Sequence, residues 1–201
     1  QGISMSFLMM LASYLFMIAL FQVCVKFNAK NMRYCLLSLL LLQGILLFEN
    51  VKFSNKKEFI IFHVPRKSMY GIREGKVLFL KTKPASVLWQ ETSQIENYRV
   101  GEQLNYVEQQ PATNYFKIGN QDFLIVDSLG VYQVKGLKNP IIMLQNSPKI
   151  NIARLLKTLA PKQLIADGNN YTSYVKRWRS VCNKNGIPFY FTGEKGAYIL
   201  K

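Results

Sequence analysis

The chain has 201 residues, 49% of them hydrophobic and 18% charged, with 26 Lys and Arg against 11 Asp and Glu for a formal net charge of +15. That apolar content excludes a disordered chain, in which high net charge accompanies low hydrophobicity. Three Cys in a chain of this length exclude a disulfide-stapled miniature fold, because a core of its own is within reach.

The apolar residues are concentrated at the N-terminus. Ile3 to Val25 gives 23 consecutive residues without a charge, and a helix rising about 1.5 Å per residue over that length crosses a bilayer core. A soluble amphipathic helix carries a polar stripe, whereas this run has only Ser4, Ser6, Ser13 and Gln22, scattered. It lacks a basic segment before Ile3 and exceeds the apolar core of a secretory signal, so a span fits better than a cleaved leader. Tyr34 to Phe48 is a second apolar run, of 15 residues. It crosses a membrane only if Met32 or residues past Phe48 join it, and the competing reading is a buried helix of a soluble core.

Between the runs lie Lys26, Lys30 and Arg33 without an acid. Short basic loops stay on the cytoplasmic side, so residues 1–50 are expected to form a transmembrane hairpin with exoplasmic outer ends. Residues 51–201 are then a soluble domain on the exoplasmic, periplasmic side. A chain opening on Gln1 is read as the tail of a larger multi-pass membrane protein. Cys24 and Cys35 fall in or beside the apolar runs, which leaves Cys182 alone in the soluble part with no internal partner.

Beyond Glu49 the composition is that of an ordinary globular domain with a balance of +13. Glu58 to Val64 and Lys76 to Lys81 carry strand signals, with Ser68 to Arg73 between them and a hairpin-type turn at Glu74-Gly75. Pro84 to Gly101 reads as a helix with Val87, Leu88, Ile95 and Tyr98 as its inner stripe. Residues 113–118 and 122–126 form a hairpin around Gly119-Asn120, and Ile141 to Leu144 is a fully buried strand. A helix from about Pro148 places Ile152, Leu155, Leu156 and Leu159 on one face. A strand from Gln163 to Ala166 ends at Asp167-Gly168-Asn169-Asn170, a tight turn in which Asn170 is positioned to cap the following helix. That helix, Tyr171 to Asn183, is followed by strands at Pro188 to Phe191 and Ala197 to Leu200 around residues 192–196. Strands alternating with helices predict an α/β layered domain whose first half is antiparallel and β-rich.

Residues for hydrolytic chemistry are sparse. His63 is the single histidine, set between Phe62 and Val64, and reads as a packed or edge-strand residue. No second His, Cys pair or acid cluster in the soluble part supplies the three or four ligands of a metal site. Gly71, Gly75, Gly119, Gly130 and Gly136 stand singly and form no phosphate-cradling motif.

The two apolar helices, the stretches YFKIGNQDFLIVDSLG and PIIMLQNSPKINIARLLKTLAPKQLIADGNN, and a W-x3-C helix followed by IPFYFTGEKGAYIL together resemble the C-terminal part of ComEC-type competence proteins. Such proteins are inner-membrane proteins associated with DNA uptake and carry a metallo-β-lactamase-like hydrolase domain after their spans. The resemblance covers nearly all of the chain, and residues 141–170 with the 171–196 ending carry it most specifically. In active members of that hydrolase fold a strand like 141–144 runs into an H-x-H-x-D-H ligand motif. Laid on this sequence, the motif's ligand positions fall on Asn146, Pro148, Ile150 and Asn151. Pro and Ile cannot ligate through their side chains, and an Asn amide is a poor zinc ligand.

The resemblance therefore implies a degenerate metallo-β-lactamase-like domain with no catalytic residue, metal or cofactor. It implies a DNA-uptake transporter whose soluble domain supports or contacts the translocating DNA. The cations expected to meet phosphate without base preference are Lys149, Arg154 and Lys157 on one helix, and Lys176, Arg177, Arg179 and Lys184 on the other. Anionic lipid headgroups are the competing attraction for those charges. The implied partners are sequence-independent DNA, the bilayer, other segments of the same transporter and other competence proteins. Two other readings stay open: a divergent metal-dependent nuclease or hydrolase, and a membrane-anchored protein-interaction module.

Overall fold

The structure is a computed structural model that describes residues 5–83, 90, 92–134 and 136–200. Helix α1, Phe7–Val25, opens on Ser6, whose side chain accepts the Met9 N–H at 3.2 Å. Helix α2, Ala29–Ser54, is 26 residues long and follows after only Lys26, Phe27 and Asn28. Residues on both sides of 34–48 join this one helix, which gives the shorter apolar run the length a span requires. The basic loop expected between the runs is correspondingly short, and Lys30 and Arg33 sit in the first turns of α2. Asn31 closes the hairpin by donating from its amide to the Lys26 carbonyl at 2.9 Å.

Within the hairpin only Ala12 and Ala19 are buried, and Phe7, Leu8, Phe21, Leu37, Leu40 and Leu47 face outward. An i, i+7 pair of alanines permits close approach of the two helices. Both helices are long and apolar enough to cross a membrane.

The domain beyond is a mixed α/β assembly of two sheets. The first contains β1 (Lys57–Ile61), β2 (Ser68–Glu74), β3 (Val77–Lys83), β4 (Tyr106–Pro111) and β10 (Tyr198–Leu200), in the order β10-β1-β2-β3-β4. β1 to β3 form an antiparallel meander, and β4 joins β3 in parallel after helix α3, Ser93–Gly101. The predicted helix from Pro84 is thus observed from Ser93. Ile95 is buried and Tyr98 half-buried as expected, while Val87 and Leu88 lie outside the described residues.

The second sheet has the order β5-β6-β7-β8-β9, from β5 (Tyr115–Ile118), β6 (Gln121–Val126), β7 (Ile141–Leu144), β8 (Gln163–Ala166) and β9 (Phe189–Phe191). β5 and β6 make the expected hairpin, and β6 to β9 run parallel. Helices α4, Ile152–Leu159, and α5, Thr172–Lys184, supply the crossovers on one face.

Alternation along the strands builds three cores. Phe59, Ile61 and Tyr70 of the first sheet meet Phe123, Ile125, Ile141, Met143 and Ile165 of the second. Residues one position along, Ile60, Phe62, Met69, Leu78 and Leu80, point to the opposite face with Ile95. In the second sheet Leu124, Val126, Ile142, Leu144, Leu164 and Ala166 turn toward Leu155, Leu156, Val175 and Trp178 of α4 and α5. The layers are therefore helix, sheet, sheet, helices. Both faces of β7 are covered, which is why its run is apolar without alternation.

The two strands flanking residues 192–196 do not pair with each other. β9 belongs to the second sheet, and after the short helix α6, Thr192–Lys195, β10 crosses to pair antiparallel with β1 of the first. The C-terminus thereby joins the two sheets.

Candidate functional site

The parallel strands β7 and β8 end side by side, and their following loops form one unit. After β7, Gln145 donates its backbone N–H to the Val126 carbonyl at 3.0 Å. Asn146 and Ser147 then take φ values of 55° and 49°, consecutive left-handed residues that need outside support. Asn170 supplies that support from the neighbouring loop. Its side-chain oxygen accepts the Ser147 N–H at 2.8 Å, and its amide nitrogen reaches the Leu144 carbonyl at 2.7 Å and Asp167 Oδ1 at 2.8 Å. In return the Ser147 hydroxyl accepts the Tyr171 N–H at 2.8 Å. Asn170 is thus a bridge between loops and not the helix cap its position suggested; Tyr171 occupies the N-cap of α5 and makes no side-chain cap bond.

Beneath this bridge lies Asp167, with no exposed surface. Its Oδ1 accepts the Asn169 N–H at 3.1 Å and the Asn170 amide, while Oδ2 has no hydrogen-bond partner. Burial lifts the Asp167 carboxyl to about 7, against the opposing pull of the Ser68 hydroxyl and the Asn169 N–H. His63 comes from the other sheet, beyond the end of β1. Its ring lies so close to Gly168 that a Cβ there would stand 2.8 Å from the imidazole. Any larger residue there would have to displace the ring. His63 Nδ1 also lies 3.3 Å from the Thr192 hydroxyl.

The loops enclose an open cleft of ≈ 500 Å³ lined by Arg66, Asn146, Ser147, Gly168, Asn169, Asn170 and Tyr171. Asn169 bridges its floor, donating to the Ser68 hydroxyl at 3.3 Å and to the Asn146 side-chain oxygen. Arg66 and Tyr171 are exposed at its rim. Amide groups, a hydroxyl, one guanidinium and one exposed phenol ring can hydrogen-bond a phosphodiester and stack a base.

The four positions of the ligand motif go separate ways. Asn146 lies in the cleft wall, and Pro148 is buried. Ile150 is half-buried beneath Gly130, and Asn151 caps α4 by accepting the Arg154 N–H at 3.1 Å. The helix predicted from about Pro148 accordingly begins at Ile152. Among the described residues no group of three or more His, Cys, Asp or Glu stands within reach of one ion.

The seven expected phosphate-binding cations are spread over the helical face. Lys149, Arg154, Lys157, Lys176, Arg177 and Lys184 are exposed. Arg179 is engaged, with Nη2 2.6 Å from Glu194 Oε2 and its guanidinium over the Phe189 ring. None of the seven lines the cleft, whose cation is Arg66. Nothing in the sequence near Arg66 marks it except its charge, since its placement depends on the first sheet docking on the second. Tyr171 is exposed, whereas Val175, Trp178 and Cys182, at helical spacing from it, are buried.

A family model described as the ComEC C-terminal domain matches residues 59–201. No curated protein and no solved structure matches the chain.

Proposed function

The chain belongs to the ComEC C-terminal domain family, whose members are membrane proteins of competence DNA uptake, and from that premise we propose that its soluble domain is a non-catalytic, exoplasmic support for translocating DNA. The spans α1 and α2 hold it at the membrane beside other segments of a multi-pass transporter. The cleft at the ends of β7 and β8 is where the domain touches the strand. Arg66 at the rim, and Lys149 two residues past Ser147 in the β7–α4 loop, meet phosphate, and Tyr171 offers a ring face to an unstacked base.

The observation that carries this reading is the cleft's chemistry. The loop frame that resembles a hydrolase's ligand loop presents Asn146, Pro148, Ile150 and Asn151, and the lining around it is amide and hydroxyl with Arg66 and Tyr171 at the rim. The order of layers, with two sheets between helices, supports descent from a metallo-β-lactamase-like scaffold.

Titration of labelled oligonucleotides into the chain held in neutral nanodiscs tests the proposal. Single-stranded DNA should bind, and its affinity should fall steeply as salt rises because counterions are released. Arg66→Ala together with Lys149→Ala should weaken binding about tenfold, at roughly 0.7 kcal/mol per phosphate contact. Salt-insensitive binding, or none at low salt, sinks it. Labelling of Ser173→Cys with a membrane-impermeant maleimide should report the exoplasmic side.

One observation favours a second reading. Asp167, poised near neutrality beneath the cleft, and His63 against Gly168 are the groups a divergent hydrolase would use. Nuclease assays with Mg²⁺, Mn²⁺ and Zn²⁺ separate the two. DNA degradation that disappears in both Asp167→Asn and His63→Ala establishes the hydrolase.

A further inference from the structure

A second cleft lies at the opposite end of the strands, next to α2. Six positions separate Lys57 at the start of β1 from His63, which places the two clefts about 20 Å apart along the strand. The second one opens between the sheets where the β1–β2 edge faces the β5–β6 turn. It measures ≈ 810 Å³, within the range of small-molecule sites, which runs to about 1,000 Å³.

Its lining is amphipathic. Phe59, Ile72 and Leu200, at the open margin of the inter-sheet core, form an apolar floor, and Lys57, Lys117 and Lys162 stand around it. These three lysines are exposed, and none has a carboxylate partner among the described residues. Two acids also line the cleft. Glu58 is buried and engaged by Lys56 and Arg73, while Glu74, exposed opposite Lys57 in the strand pairing, offsets one ammonium.

The position of the cleft along α2 identifies its surroundings. The apolar stretch of α2 ends at Phe48, and the helix continues through Glu49, Asn50 and Lys52 to Ser54. Asn50 is two residues past the apolar stretch, about 3 Å along the axis. The β2–β3 turn reaches back to that level, where Lys76 Nζ donates to the Asn50 side-chain oxygen. Glu74 and Lys57 adjoin this turn, and the Lys56 carbonyl accepts the Gly75 N–H at 2.7 Å. The polar layer of a bilayer is roughly 5–8 Å deep on each side, so this end of the domain meets lipid headgroups.

We infer that this cleft binds the phosphate of an anionic phospholipid, its three lysines holding the headgroup and its apolar floor covering the glycerol and first acyl carbons. Charge alone would serve a nucleic-acid phosphate equally well. The apolar floor and the headgroup depth select the lipid. The bound lipid fixes the domain's tilt against the bilayer, which orients the distal cleft away from the surface.

The test uses the full chain in nanodiscs of phosphatidylcholine alone and of phosphatidylcholine mixed with phosphatidylglycerol. The mixed discs should raise Tm by several degrees, and native mass spectrometry should show phosphatidylglycerol retained in stoichiometric amount after detergent extraction. The triple variant Lys57→Gln, Lys117→Gln, Lys162→Gln should lose the Tm rise and the retained lipid while keeping the wild-type Tm in neutral discs. Lys149→Gln with Arg154→Gln should keep both, which separates a built cleft from general attraction of a basic domain. An equal Tm rise from inorganic phosphate in neutral discs would identify free phosphate as the ligand and overturn the lipid assignment. A triple variant that keeps its lipid response but loses oligonucleotide binding would make the cleft a DNA site. Failure of oligonucleotide binding at the distal cleft leaves this result untouched, because the two readouts are independent.

Discussion

Asp167 shows how a residue that looks like turn chemistry acquires another property on burial. Asp-Gly-Asn is what a tight turn demands, and the turn forms. What spacing does not reveal is that the fold buries the carboxyl completely and leaves Oδ2 without a partner. Its protonation midpoint near 7 lies above the ordinary aspartate value of 3.8, so the folded chain holds this proton more tightly than the unfolded chain does. Stability from Asp167 is therefore complete below about pH 4, falls as pH rises toward 7 and stays at its low level above that. Asp167→Asn, which keeps the shape and removes the charge, should abolish that decline. At pH 8 its Tm should exceed wild type by several degrees, whereas at pH 4 the two should coincide. Thermal unfolding across this range checks it, and a variant that keeps the wild-type slope would place the titrating group elsewhere.

At the scale of elements, what could be read from sequence was what local pattern encodes. β7 and β8 are short apolar runs because both their faces are covered, and α4 repeats apolar residues at helical spacing because one face is. β4 escaped because Tyr106–Pro111 is a polar edge strand with Val107 as its one buried residue, and its partner β3 lies on the far side of α3. The C-terminal strands were visible, but their pairing was not. Whether β10 turns back on β9 or crosses to β1 is decided by contacts with residues about 140 positions away, Tyr198 pairing with Ile61. The candidate cleft suffers the same limit, since His63 and Gly168, or Ser147 and Asn170, meet only through the tertiary fold. That dependence makes Asn170 sensitive. Asn170→Ala removes the acceptor of the Ser147 N–H and a donor to the Leu144 carbonyl, both buried. At about 1–3 kcal/mol for each orphaned group, the loss should be on the order of 2–5 kcal/mol. Asn170→Asp, which keeps the acceptor alone, should fall between, and a loss below that of an exposed Asn such as Asn183→Ala would deny the bridge.

Across the whole molecule the apolar helical hairpin and the domain are joined by one buried cation. Arg73, with no exposed surface, sits where α2, the first sheet and the end of α3 converge. Its guanidinium bonds Glu102 Oε2 at 2.5 Å, the Glu102 carbonyl at 3.2 Å, the Gly75 carbonyl at 2.7 Å and the Phe53 carbonyl of α2 at 3.4 Å. The Phe53 ring packs under the same group, 5.9 Å away. Lys56 adds a 2.6 Å pair to Glu102, and Tyr98 donates to buried Glu58 at 3.1 Å. Burial opposes the charge on Glu102, but the hydrogen bonds from Lys56 and Arg73 win and hold its carboxyl below the usual range. The stability it contributes is thus present above its unfolded value of 4.5 and is lost as pH falls through its lowered folded value, the reverse of Asp167. Substituting Arg73→Met keeps the packing volume but leaves buried Glu58 with only Lys56 and Tyr98 and takes the closest cation from Glu102, and breaking a buried pair from one side costs about 3–5 kcal/mol. For a domain of this size that is a fall of about 10 °C in Tm. Because the same side chain holds the Phe53 carbonyl, the variant should also speed amide exchange in β1 and the β2–β3 turn next to the end of α2, while the β7 and β8 amides stay protected in neutral nanodiscs at pH 7. A Tm loss with uniform exchange across both sheets would show Arg73 to be a core residue only. A loss confined to the α2 junction shows that one guanidinium sets how the domain stands on α2.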